Sequence, residues 1–127
     1  DLTELSGKLQ DDLLRLHRLL QQATAKSIII INEIFSSTTL SDALNLGRKM
    51  MDALLQLGAP AVVVTFLDEL ATHGPQTVSM VSMVRDDGSA ERTYKIVRRP
   101  PDGLAYALTL IKKHGLTYEQ LAGRLAP

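Results

Sequence analysis

Cysteine is absent from this 127-residue sequence. That excludes disulfide bridges and thiolate metal centres, and it fits a reducing compartment, so the expected location is the cytoplasm. Tryptophan is also missing, and the other aromatic residues are few. There is no excess of charge of either sign: fourteen Lys and Arg balance fourteen Asp and Glu. No overall field therefore draws the chain to nucleic acid or to an anionic membrane. No apolar run is long enough to span a bilayer or to act as a signal peptide, so no membrane partner is expected. Internal repeats, low-complexity tracts and linkers are lacking too. The length suits a single α/β unit with a real core. The sequence begins at Asp1 without an initiator methionine and enters a helical pattern almost at once, so it reads as a segment of a longer chain.

What is present is organised around residues 27–42, SIIIINEIFSSTTLSD. Four consecutive isoleucines are β-branched and favour an extended backbone. With no polar alternation, they predict a central strand of a parallel sheet, buried on both faces. The run stops at Asn32 and Glu33, at the carboxyl end of the strand, where α/β proteins keep their chemistry. A Ser/Thr-rich turn and an amphipathic helix follow. Strand, acidic tip, polar turn and helix form the layout of a Walker B segment in a nucleotide-hydrolysing P-loop protein. In that layout a glutamate orients the attacking water and its neighbour helps to hold Mg²⁺. The same residues also fit an ordinary buried strand with a polar tip.

Leu2, Leu5, Leu9, Leu13, Leu16 and Leu20 recur three or four apart, predicting a helix over residues 8–24 once Ser6 and Gly7 have interrupted its start. His17 falls on its surface. Thr39 and Asp42 have the spacing of a helix N-terminus. Ala43, Leu44, Gly47, Met50, Met51, Leu54 and Leu57 give that helix a buried face, and Gly58 with Pro60 ends it. Residues 61–65 (AVVVT) predict a second buried parallel strand, completing a right-handed βαβ unit. Asp68, Glu69 and Leu70 form a short helical turn. Residues 77–84 and 92–98 predict a hairpin around Asp86-Asp87-Gly88-Ser89, extending the sheet. Arg98 and Arg99 read as a solvated strand end, with a phosphate contact as the alternative. A helix is expected over residues 104–114, closed by Gly115 and bearing His114 near its C-terminus. A last short helix is capped by Thr117 and Gln120.

In order, these segments resemble the carboxyl-terminal half of the ATPase domain in the MutS family of DNA mismatch-repair proteins, over nearly the whole chain. The resemblance is carried by Ala23-Thr24, by residues 27–34, by Thr38, Thr39 and Asp42, and by residues 65–70 (TFLDEL). Tyr94-Lys95, residues 102–105 (DGLA) and Gly115-Leu116 continue it. It implies a three-layer P-loop fold of the ATP-binding-cassette-like kind, with a parallel βαβ core and an antiparallel hairpin. It also implies ATP and Mg²⁺ as cofactors of a full-length parent. By the same resemblance Glu33 is the catalytic base and Asn32 lies at the metal. Thr38, Thr39 and Asp42 shape a subunit-facing turn, and Phe66 occupies the nucleotide-sensor position. The implied partners are a second ATPase domain, in a homodimer or heterodimer, and DNA held by other domains of the parent.

The departures from the family pattern bear on catalysis. Asn32 stands where the family has aspartate, a neutral amide in place of a charged metal contact. Phe35-Ser36-Ser37 replaces a turn that carries glycine and arginine, and Phe66 replaces the switch histidine. Of the opposing subunit's signature loop, expected near residues 2–9, Ser6-Gly7 alone has a counterpart. No GxxxxGK[ST] phosphate loop occurs, so the fragment alone is not expected to bind ATP. Two functions follow as expectations: the Walker B half of a DNA-coupled ATPase, or a catalytically degenerate dimerisation or scaffold module. An unrelated α/β domain is the third.

Overall fold

The leucine-rich first segment forms α1, an α-helix over Leu2–Gln22, in the computed structural model. Residues 2–89, 91–102 and 110–125 are described, residues 2–6 as backbone only. Ser6 and Gly7 lie within α1 and do not delay its start. One interior glycine costs about 1 kcal/mol relative to alanine, too little to break a long helix of good formers. Leu9, Leu16, Leu19 and Leu20 pack on the core, whereas Leu13 is exposed. The buried face thus centres nearer Leu16 and Leu19 than the predicted stripe, leaving Leu13 at its margin.

The isoleucine run gives β1 (Ile29–Asn32), paired in parallel with β2 (Ala61–Val64). Ile29 lies opposite Ala61 and Asn32 opposite Val64. The crossover is α2 (Leu40–Leu57), capped as the sequence predicts. Thr39 Oγ1 accepts from the Asp42 N–H at 3.2 Å. At the other end Gly58 takes φ 77° and donates its N–H to the Leu54 carbonyl at 3.2 Å. Ala43, Gly47, Met50, Met51 and Leu54 form the buried face of α2 and meet Ile29, Ile31, Phe35 and Leu70 in one apolar cluster.

β1 is not the doubly buried central strand that the sequence predicts. Ile29 and Ile31 are 3% and 7% exposed, but Ile28 and Ile30 are 78% and 71% exposed. Alternate side chains point to opposite faces, and α1 and α2 both pack into the cluster on the Ile29 and Ile31 side. Among the described residues the sheet has two strands, so each has an open edge. β2 shares this bareness: Val62 and Val64 are exposed and Val63 alone packs inward. After β2, a 3₁₀ helix over Asp68–Thr72 seats Leu70 in the core.

Two compact units, Asp1–Thr77 and Val78–Pro127, replace the single unit expected. In the second, β3 (Met80–Val84) and β4 (Arg92–Arg98) form the predicted antiparallel hairpin, as a two-stranded sheet of its own. Among the described residues they pair with each other and do not extend the parallel sheet. The register shifts between Ser82 and Val84, and Tyr94 opposite that shift adopts φ 60°. At the tip, hydrogen bonds from Ser89, aided by Arg85, hold the Asp87 carboxyl below its ordinary value. Of the helix expected over residues 104–114, residues 104–109 lie outside the described residues, and residues 110–113 are helical. The last helix, α3 (Tyr118–Leu125), carries the full capping box. Thr117 N–H donates to Gln120 Oε1 at 3.0 Å, and Gln120 N–H to Thr117 Oγ1 at 3.2 Å.

Candidate functional site

Parallel pairing brings the carboxyl ends of β1 and β2 together. Glu33, the first residue past β1, donates its backbone N–H to the Val64 carbonyl at 2.7 Å. Asn32 and Glu33 are both exposed. No side-chain partner holds the Glu33 carboxylate among the described residues, so the backbone that carries it sets where the side chain starts. That backbone is unusual: Glu33 has φ 54° and Phe35 φ 65°, both in the left-handed region. Non-glycine residues seldom adopt it, because Cβ crowds the neighbouring carbonyl.

Two contacts of Phe35 hold the turn, and a third lies on its surface. The Phe35 side chain is 1% exposed, the largest fully buried side chain described. Its N–H donates to Asp12 Oδ2 on α1 at 3.2 Å, and Lys8 Nζ, one turn earlier on α1, donates to Ser36 Oγ at 3.2 Å. Ser37 Oγ is buried without a hydrogen-bond partner among the described residues. Asp12 and Phe35 are what the sequence did not reveal as site-shaping residues. Lys8 and Asp12 are four apart beside the leucine stripe, which places them on one helix face, but nothing local pairs that face with a turn more than twenty residues away.

The other expected residues fall around this end of the sheet. Thr38 is half-buried in the turn, Thr39 caps α2, and Asp42 lies in its first turn, where a carboxylate suits the helix dipole. Phe66 lies two residues past β2 with its ring 82% exposed. It lies two residues beyond the carbonyl that Glu33 engages, and its side chain brings no polar atom. Asn32 and Glu33 do not by themselves fit a Mg²⁺ site. Between them they offer one carboxylate and one amide, and no group of three or more His, Asp or Glu is placed to hold a metal among the described residues. Magnesium is ordinarily held by one or two carboxylates with substrate phosphates, which this pair does not supply.

Two curated relatives match the chain. The endonuclease MutS2 of Thermus thermophilus is 32% identical over 109 residues, 84% of this chain. The endonuclease MutS2 of Thermomicrobium roseum is 29% identical over 110 residues, 85% of this chain. Over most of its length, the chain is similar to a segment of MutS2. It spans 14% of the length of either relative, so the similarity is to a fragment of those proteins. No family model matches the chain. No helix among the described residues is long and apolar enough to cross a membrane.

Proposed function

We propose that this chain is the Walker B half of a MutS-type ATPase domain, and that Glu33 is the residue that orients the attacking water. The observation that carries this is the placement of Glu33. Its carboxylate stands exposed at the carboxyl end of a parallel strand, unpaired among the described residues, on a backbone tied to the next strand by the 2.7 Å bond to Val64. Open α/β sheets bind their ligands outside the carboxyl ends of their strands. Similarity to MutS2 supports the family, and the bare sheet face of Ile28, Ile30, Val62 and Val64 suits a slice of a larger parallel sheet, since such sheets are covered on both faces.

In this function Glu33 accepts a hydrogen bond from water and directs it at the phosphate to be cleaved. Thr39 and Asp42 fix the start of α2, and with Thr38 they shape the turn that faces a second ATPase domain. ATP and Mg²⁺ belong to the full-length parent, whose phosphate loop supplies the contacts this chain lacks. DNA is bound through other domains of that parent, in the cytoplasm. The nuclease activity named for the relatives is a property of the whole proteins.

A scaffold or dimerisation module of the same fold is the second reading. It is favoured by the exposed, apolar Phe66 and by the amide at Asn32. Steady-state ATPase assays on the parent separate the two. For the engine, Glu33→Gln keeps nucleotide binding and lowers kcat by at least about 100-fold, at the lower end of what a positioned acid–base group supplies. A parent with clear turnover that Glu33→Gln leaves untouched removes Glu33 from the role.

A further inference from the structure

We propose that Asp12 is a positioning residue for Glu33, acting through the backbone of the intervening turn. This rests on Glu33 being the catalytic carboxylate. Two alternate residues of one turn, Glu33 and Phe35, hold left-handed backbone without being glycine. Such a conformation persists only where its surroundings over-determine it. On the Glu33 side the constraint is the bond from its N–H to Val64. On the Phe35 side it is the bond from its N–H to Asp12 Oδ2, with the ring locked into the core.

The two bonds attach the turn to two different elements, β2 and α1. Glu33 carries the first of them and has no side-chain partner of its own among the described residues. Releasing either attachment lets the strained turn relax, and the carboxylate swings with it. A carboxylate that must direct a water is sensitive to such movement, since misplacement by about 1 Å costs roughly 100-fold in rate. The neighbouring bond from Lys8 to Ser36 ends on an exposed side chain, not on the turn's backbone. It therefore serves as the control.

The test is steady-state ATPase kinetics on the full-length parent carrying Asp12→Ala, Asp12→Asn, Lys8→Ala and Glu33→Gln separately. Asp12→Ala removes the acceptor, and kcat falls about 10- to 100-fold with KM for ATP within about twofold, the pattern of an interaction needed in the transition state. Asp12→Asn keeps an oxygen acceptor for the Phe35 N–H and restores kcat to within about threefold. Lys8→Ala leaves kcat unchanged. Wild-type kcat in Asp12→Ala, alongside an inactive Glu33→Gln, overturns the positioning role and leaves the function standing. An Asp12→Asn as slow as Asp12→Ala overturns it too, because the acceptor is then irrelevant; if Asp12→Ala fails to fold, a folded Asp12→Asn slowed by more than about tenfold overturns it instead. A fully active Glu33→Gln overturns both the role and the function on which it rests.

Discussion

Gly47 of α2 and Leu70 of the 3₁₀ helix approach so closely that a β-carbon at position 47 would lie 2.9 Å from Leu70 Cδ1. This contact joins the crossover helix to the segment leaving β2, and so helps to hold the carboxyl end of β2 beside Glu33. Glycine is there for space, not for backbone freedom, because it sits inside a regular helix.

Gly47→Ala should therefore destabilise the chain although alanine is the better helix former. The propensity gain is about 1 kcal/mol, while overpacking a buried site costs about 1–3 kcal/mol. A net loss of about 1 kcal/mol is expected in urea denaturation, and a larger one for Gly47→Leu. Adding Leu70→Val to Gly47→Ala should recover part of the loss, since residues in contact are not additive. Equal or higher stability for Gly47→Ala would mean that Leu70 moves aside freely.

Phe35 sets a buried aromatic ring against a left-handed backbone. Phe35→Ala should cost about 3–5 kcal/mol for the lost ring. Phe35→Gly leaves the same void but removes the backbone strain, worth about 1–2 kcal/mol. Glycine should thus be the milder substitution by about 1 kcal/mol, the reverse of the order at ordinary positions. Equilibrium denaturation of both variants decides it, and a more stable alanine variant would place the strain elsewhere.

The parts of the fold that were legible in the sequence are those written in local chemistry. Thr39 with Asp42, Gly58, and Thr117 with Gln120 set helix ends through contacts within a turn or two. Residues 86–89 set the hairpin, and the β-branched runs set the parallel pair. Illegible parts depend on what lies across space. Ile28 and Ile30 look as buried as Ile29 and Ile31, because hydrophobicity records what a strand can bury against, not what this chain supplies. The bond from Phe35 to Asp12 joins residues 23 apart in sequence and has no local signature. Phe35 itself stands where the resembled family has a glycine-bearing turn; that it keeps a glycine-like backbone by burying its ring could not be read from its identity.

The bare face of the parallel sheet offers the sharpest comparison between this chain and the full-length parent proposed for it. Ile30 and Val62 are cross-strand neighbours, 71% and 58% exposed. In the 127-residue chain, Ile30→Thr and Val62→Thr should each change stability by no more than about 0.5 kcal/mol, as exposed substitutions do. Both should raise solubility by shrinking an apolar patch. If the rest of the parent covers this face, the same substitutions there bury a hydroxyl and remove apolar contact, each costing about 1–3 kcal/mol. Threonine keeps the β-branched shape, so strand propensity is nearly constant and the difference reports burial. Denaturant midpoints of chain and parent, each with and without the substitutions, measure it. A parent that tolerates Ile30→Thr as easily as the isolated chain would mean that the face stays bare, and the support it lends to a larger sheet would be lost.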